Sequence, residues 1–221
     1  MKKTIKLLCC AAAFAVFFAT CGDAVETADD LNKDSGTTPT TVQVYKEHGK
    51  SRFTESGKVC VALIKEGADP EYLQVGAIVD GTIKFSFPES IAEDYLFNLA
   101  EDDSFNEFDA DSEEIPIFMS DLFFFRTGED SPSGLIINGN DIYLQFHNDW
   151  SLCFTPGSAG ATLVYSTTVA KVTGTHDEVT ASIELKRGWG WLYTKIALAK
   201  ETTITTTRPT GLKFAYEDFV E

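Results

Sequence analysis

Among the residue types that most often serve as nucleophiles, bases or metal ligands, this 221-residue chain has five cysteines, three histidines and 34 acids. The histidines His48, His147 and His176 belong to no recognisable triad signature, and the stretch GSAG at 157–160 lacks the Gly-x-Ser-x-Gly spacing of a nucleophile elbow. A zinc site needs several His or Cys ligands at short spacing, and the sequence has no such cluster. The sequence therefore predicts a non-enzymatic protein without catalytic residues, metal ligands or a cofactor.

An acidic segment at 101–114 is the one candidate for cation binding, because carboxylate oxygens are the ligands that calcium prefers. Residues 109–113 (DADSE) begin like a calcium loop. The sixth position is then Glu114 where the loop needs glycine, and the twelfth is Ser120 where it needs a bidentate acid. The segment favours a solvated loop or linker, with specific calcium binding as the alternative.

An aromatic row is formed by Trp189, Trp191 and Tyr193, which share one face of a strand because side chains alternate with a period of two. The opposite face carries Leu192, Ile196 and Leu198. Two interpretations stay open. The row packs in a core, or it offers a platform for sugar rings to which Trp150 adds a fourth aromatic side chain.

Strand patterns dominate the residues that position these side chains. Residues 82–87 alternate between polar and apolar, and they follow Asp80-Gly81, the dipeptide that a two-residue hairpin turn prefers because it tolerates positive φ. We therefore expect a hairpin over about 74–87.

Further strands are expected along the rest of the chain. A second hairpin is predicted around the Asn-Gly pair at 138–139, and strands are predicted over 181–185 and 189–198 with Gly188 between them. Helical spacing is confined to 91–99. The pattern predicts an all-β fold, an antiparallel β-sandwich, built either as one sandwich or as two packed β modules.

The N-terminus has the plan of a secretory signal, with Lys2, Lys3 and Lys6 before an apolar stretch at 7–19. That stretch is shorter than the about 20 apolar residues that a bilayer-spanning helix needs. The sequence FATC at 18–21 resembles the lipobox of bacterial lipoproteins. The resemblance implies diacylglyceryl transfer to Cys21 and cleavage before it; the alternative is plain secretion after cleavage elsewhere.

Removal of residues 1–20 leaves 15 basic and 34 acidic residues, a formal charge of about −19. This charge opposes binding to nucleic acid and to anionic lipid. With Cys21 lipidated, Cys60 and Cys153 are the two cysteines left to pair in an oxidising compartment. A Cys60–Cys153 disulfide and two buried thiols are both open interpretations.

The low apolar content of residues 22–41 indicates a tether without a core of its own. The predicted organisation is a signal peptide (1–20), an acylated cysteine with a disordered tether (21–41), an N-terminal β module (42–100), an acidic loop or linker (101–114) and a C-terminal β module (115–221).

Two stretches resemble small bacterial envelope lipoproteins that carry transthyretin-like or immunoglobulin-like β modules. The first includes GKVCVALI at 57–64 and AIVDGTIKFSFP at 77–88, and the second includes VTGT at 172–175 and IELKRGWGWLY at 183–193. Most such proteins are uncharacterised, so the resemblance implies a β fold and an envelope location without catalytic residues.

The predicted function is that of a lipid-anchored envelope protein with a binding or structural role, whose partners are the membrane and a protein or glycan ligand. Gly22 after Cys21 favours the outer membrane by resemblance, on its periplasmic or surface face. A carbohydrate-binding module that uses Trp189, Trp191, Tyr193 and Trp150 is the alternative. A hydrolase without a sequence signature is a third hypothesis.

Overall fold

The computed structural model describes residues 41–46, 51–65, 68–128, 132–146, 150–199 and 201–218. The predicted signal peptide, Cys21, nearly all of the tether, His48 and His147 lie outside these residues. Within the described ranges, no helix has the length and apolar character needed to cross a bilayer. In place of a helix over 91–99, two 3-10 turns form at Glu93–Tyr95 and Leu99–Glu101.

Sixteen strands make up most of the described chain, which confirms the all-β prediction. They are β1 (Thr41–Lys46), β2 (Ser51–Arg52), β3 (Gly57–Leu63), β4 (Glu71–Val79), β5 (Thr82–Phe85), β6 (Phe97–Asn98), β7 (Asp109–Ala110) and β8 (Pro116–Ser120). The second half contributes β9 (Phe123–Arg126), β10 (Gly134–Phe146), β11 (Trp150–Ser166), β12 (Ala170–His176), β13 (Val179–Leu185), β14 (Gly188–Ile196), β15 (Thr202–Thr205) and β16 (Lys213–Asp218).

Seven strands pair into a closed ring in the order β1-β5-β4-β3-β9-β10-β16. The ring closes because β16 lies between β1, to which it is parallel, and β10, to which it is antiparallel. Strand β2 pairs with β1 outside the ring order. A closed ring leaves its strands no free lateral edge along the paired stretches, which protects the backbone polar groups from non-native pairing.

Apolar residues at alternate positions of the ring strands form the first core together with Phe53, which follows β2, and with residues of β11 and β14. Fully buried examples on the ring strands are Phe123, Phe125, Phe214, Ile83 and Ile136. Phe53 stacks on Tyr216 with ring centroids 4.3 Å apart and meets Phe125 edge-on at 5.1 Å. These contacts join the N-terminal part of the ring to its C-terminal strand.

A second curled sheet has the order β6-β8-β11-β14-β15-β13-β12-β7. The predicted strand over 181–185 is confirmed: β13 alternates between buried and exposed residues, with Ala181, Ile183 and Leu185 buried. These residues form a second core with Leu99, Ile117 and Val172.

The strands do not follow the predicted boundary between two modules at 101–114. Strands β9, β10 and β16 come from the C-terminal part of the chain, yet they complete the ring begun by β1, β3, β4 and β5. The acidic segment itself contributes β7 to the edge of the second sheet. The two sheets are therefore interleaved in sequence.

The predicted hairpin at 138–139 is wrong. The Asn-Gly pair lies inside the continuous strand β10, where both residues pair with β16. Pairing with a third strand makes an extended backbone favourable at a dipeptide that would favour a turn in isolation. Strand β10 instead runs on to Phe146 and pairs antiparallel with β11, where Phe146 is in register with Trp150.

The predicted hairpin at 74–87 is confirmed, and its turn is built as the dipeptide requires. Asp80 and Gly81 have φ values of 48° and 72° between β4 and β5. The Gly81 carbonyl accepts hydrogen bonds from the Val44 amide at 2.8 Å and from Gln43 Nε2 at 2.7 Å. The turn therefore also fixes the middle of β1.

Gly81→Ala is expected to lower the free energy of unfolding by about 3 kcal/mol or more, because the new Cβ would overlap the Phe53 carbonyl and φ is positive. Gly211→Ala is the control, since Gly211 has a φ of 81° and no atom of the described residues lies within 4 Å of the added Cβ. It should cost only about 1 kcal/mol. Equal losses in urea unfolding would show that the close approach to Phe53 has no energetic role.

Candidate functional site

A polar cleft of about 230 Å³ lies at one end of the second sheet and is the candidate binding site. Its lining residues are Thr175, Asp177, Glu178, Thr180, Glu201, Thr202 and Thr203. They come from the β12–β13 turn and from the start of β15. Sequence patterns did not single them out, because they meet only through strand pairing.

Sheet register aligns three threonines across the cleft. Thr175 pairs with Thr180, and Thr180 pairs with Thr203 on the neighbouring parallel strand. The Thr175 and Thr180 hydroxyl oxygens are 3.1 Å apart, within hydrogen-bonding distance. Lys195 continues the same row on β14.

Acidic residues at the turn complete the cleft. Asp177 has a φ of 50° in the two-residue turn between β12 and β13, and its carboxylate lies 3.5 Å from His176 Nε2. The Glu178 carbonyl accepts the Thr202 amide at 2.8 Å, and this bond fixes the turn against β15. The Glu201 carbonyl accepts a hydrogen bond from the Ala197 amide at 2.8 Å, and this bond fixes the backbone at Glu201.

Hydroxyls and carboxylates together can accept hydrogen bonds from a polyol, an amine or a guanidinium group. The lining therefore suits a polar ligand that carries hydrogen-bond donors.

The aromatic row occupies the alternating positions that the sequence predicted, and it packs in the first core. Trp191 and Tyr193 are 6% and 5% exposed. Burial raises the pKa of the Tyr193 hydroxyl, and Arg208 opposes this with a smaller effect. Trp191 meets Phe123 and Phe85 at centroid distances of 5.6 and 5.8 Å.

Trp189 is half-buried against the same core. Its ring stacks on Phe87 at 5.0 Å, and its Nε1 donates to the Pro88 carbonyl at 2.7 Å. One indole face and the polar edge are thus engaged within the protein. The predicted open platform of Trp189, Trp191 and Tyr193 is not formed, because the ring of strands covers that face of β14.

The remaining predicted site residues lie apart from the cleft. Trp150 is placed opposite Phe146 at the start of β11. Cys60 is buried in β3 and is in register with Phe124, whereas Cys153 is in register with Tyr143. The pairing of Cys60 with Cys153 stays a prediction, as does lipidation of Cys21.

The acidic segment at 101–114 uses two of its carboxylates in local hydrogen bonds. Asp111 Oδ1 accepts the Lys171 amide at 2.8 Å, and Asp102 Oδ1 accepts the Ser104 amide at 2.9 Å. Asp109 pairs with Thr173 in the sheet. In the part of the chain that the structure describes, no group of three or more ligand-type side chains is arranged to hold a metal ion.

Two polar groups near the junction of the sheets escaped sequence analysis. Ser158 in β11 is 0% exposed, and its hydroxyl has no hydrogen-bond partner in the described structure. Asp121 is half-buried in the bend between β8 and β9, and desolvation raises the pKa of its carboxyl.

No family model, curated protein or solved structure matches this chain. The resemblance to envelope lipoproteins therefore stays a prediction from the quoted motifs.

Ser158→Ala is expected to raise the free energy of unfolding by about 1 kcal/mol, because it removes a buried hydroxyl that lacks a partner. Ser166→Ala in the same strand is the matched control. Ser166 is also buried, but its hydroxyl donates to the Thr168 carbonyl at 2.8 Å, so this variant should lose about 1 kcal/mol. Denaturant unfolding measures both, and a loss in both variants would contradict the assignment of an unpartnered hydroxyl.

Asp121→Asn is expected to stabilise the protein at pH 7 and to bring no gain near pH 3. A carboxyl whose pKa is raised in the folded state costs stability as the pH rises through that pKa, and below its unfolded pKa both states are protonated. Thermal unfolding across this pH range measures the difference between variant and parent. The exposed Asp69 provides the control Asp69→Asn, and an equal pH profile for both variants would refute a special environment at Asp121.

Proposed function

We propose that the chain is a lipid-anchored cell-envelope protein that displays an all-β domain for binding. The observation that carries the proposal is the sequence FATC at 18–21, placed after three lysines and an apolar stretch. A triacylated Cys21 would supply several membrane-inserted chains at one residue, which is sufficient for stable anchoring.

The position of β1 supports display of a rigid domain. The predicted tether leads into this strand, which is hydrogen-bonded to β5 on one side and to β16 on the other. A membrane attachment at the N-terminus would therefore pull on a strand inside the ring rather than on a free edge. The structural role and the binding role are both compatible with such an attachment.

The polar cleft supports a binding role. Its threonines and carboxylates suit a ligand rich in hydrogen-bond donors. Glycan binding through stacking on Trp189 and Trp191 loses its support, because these rings pack against Phe87 and Phe123. A glycan bound through its hydroxyl groups at the cleft remains within the proposal.

The mass of the membrane-extracted protein tests the anchor. For the parent we expect the mass of a chain that begins at residue 21 plus the mass of the attached lipid. The lipid mass should be absent from Cys21→Ala. Cys10→Ala is the matched control and should keep the lipid mass, since that cysteine lies within the predicted signal.

Protease treatment of whole cells on the same samples separates the two faces of the outer membrane. Cleavage by external protease would support display at the surface, and protection would support the periplasmic face. An unmodified mass that starts after another cleavage site would refute the lipid anchor.

A further inference from the structure

The outer face of strands β12, β13 and β15 is polar. Along β13, Thr180, Ser182 and Glu184 are exposed and alternate with residues that are buried in the second core. The register extends this face into two rows of three hydroxyl groups, with Thr175, Thr180 and Thr203 in the first row and Thr173, Ser182 and Thr205 in the second. Each of the six side chains is exposed or half-buried. The face therefore offers hydroxyl groups to a partner outside the domain.

The first row of hydroxyls belongs to the polar cleft, which three carboxylates also line. Asp177 and Glu178 form the β12–β13 turn, Glu201 directly precedes β15, and all three are exposed. His176 Nε2 lies 3.5 Å from the Asp177 carboxylate. Among the described residues, no basic side chain forms an ion pair with Glu178 or Glu201. These two carboxylates are therefore available to a ligand.

Hydrogen-bond acceptors outnumber donors in the cleft. A carboxylate brings two acceptor oxygens and no donor, whereas each threonine hydroxyl brings one donor. The Thr175 and Thr180 hydroxyl oxygens are 3.1 Å apart, so one of these two donors is used within the row. The Thr202 amide is also used, because it donates to the Glu178 carbonyl. An ammonium or guanidinium group has only donors, whereas a polyol brings an acceptor with every donor, so the lining favours a cation.

The size of the cleft limits the ligand to one small group. Its volume of about 230 Å³ is below the range of roughly 300 to 1,000 Å³ typical of pockets for drug-sized ligands. One side chain of a larger partner suits such a volume. The formal charge of −16 on the chain also attracts a basic partner before contact.

We propose that the cleft receives a lysine or arginine side chain of a protein partner. The cationic group binds the carboxylates of Glu178 and Glu201, and the adjacent threonine hydroxyls accept its remaining hydrogen bonds. Charge complementarity selects this partner, since none of the seven described lining residues is basic and Lys195, one strand beyond Thr203, is not among them. The proposal rests on the binding role proposed for the cleft and does not depend on the lipid anchor.

NMR titration of the full chain carrying Cys21→Ala tests the proposal. The probe is the peptide acetyl-Gly-Lys-Gly-amide, and its neutral control has the lysine acetylated on Nζ. With the lysine peptide we expect saturable shifts of the Thr180 and Thr203 amide signals, with a dissociation constant in the millimolar range. The acetylated peptide should bind at least about 10-fold more weakly, because acetylation removes the charge and keeps the stem. Salt should weaken binding of the lysine peptide, since it screens exposed charges.

The double variant Glu178→Gln/Glu201→Gln should raise this dissociation constant by about 10-fold or more, because it removes two charged hydrogen-bond acceptors. Glu101→Gln/Glu113→Gln is the matched control, since it removes the same charge from exposed residues outside the cleft. The control should change the dissociation constant by no more than about twofold. All four side chains are exposed, so both variants should keep the amide spectrum of the parent away from the substitutions.

Equal dissociation constants for the lysine peptide and its acetylated form in the parent would overturn the proposal, as would equal effects of the two double variants. Shifts of the cleft amides with sorbitol but not with the lysine peptide would also overturn it, yet they would keep a binding role for the cleft. Absence of shifts with either ligand would overturn both. A mass without lipid on Cys21 would refute the anchor and leave these outcomes unchanged.

Discussion

Strands β11 and β14 pair along eight registered positions, and in the middle of this pairing side chains on both faces are buried. Tyr165 and Trp191 belong to the core of the ring, whereas Val164 and Leu192, each one residue away, belong to the core of the second sheet. The two cores are therefore joined through one layer of backbone. A shift of one residue in either strand would exchange the two sets of side chains, so this pairing constrains both halves of the fold.

This shared layer explains why the aromatic row is structural. The face that carries Trp189, Trp191 and Tyr193 lies under the ring strands, and the rings of Phe85, Phe87 and Phe123 complete their packing. The same face continues past β14 onto β15 and β13, where the ring no longer covers it. There it changes to threonines, and the polar cleft forms at the end of that uncovered region. One surface of the second sheet therefore packs against the ring at β14 and lines the polar cleft at β13 and β15.

Buried polar atoms at and beside the shared layer are not all satisfied: the Ser166 hydroxyl and Trp189 Nε1 donate hydrogen bonds, but two others lack a partner within the described residues. These two are the Ser158 hydroxyl and Trp191 Nε1. Desolvation also raises the pKa of the Asp121 carboxyl, which directly follows β8. By contrast, acids in the segment at 101–114 accept backbone amides at turns and at the sheet edge. Local turns satisfy their own polar groups, whereas the contact between two sheets is decided by shape and apolar burial, which leaves some polar atoms without partners.

The sequence by itself determined the elements whose causes are local. Alternation over 181–185 and the Asp80-Gly81 turn predicted their strands correctly, since both depend on side-chain period and on tolerated φ values. The Asn-Gly pair at 138–139 misled, because a third strand outside the local sequence holds it extended. Only the tertiary structure decided the ring closure by β16, the burial of Trp191 and the threonine row of the cleft. Each of these depends on which distant strands become neighbours, and a single chain's pattern does not encode that choice in any local window.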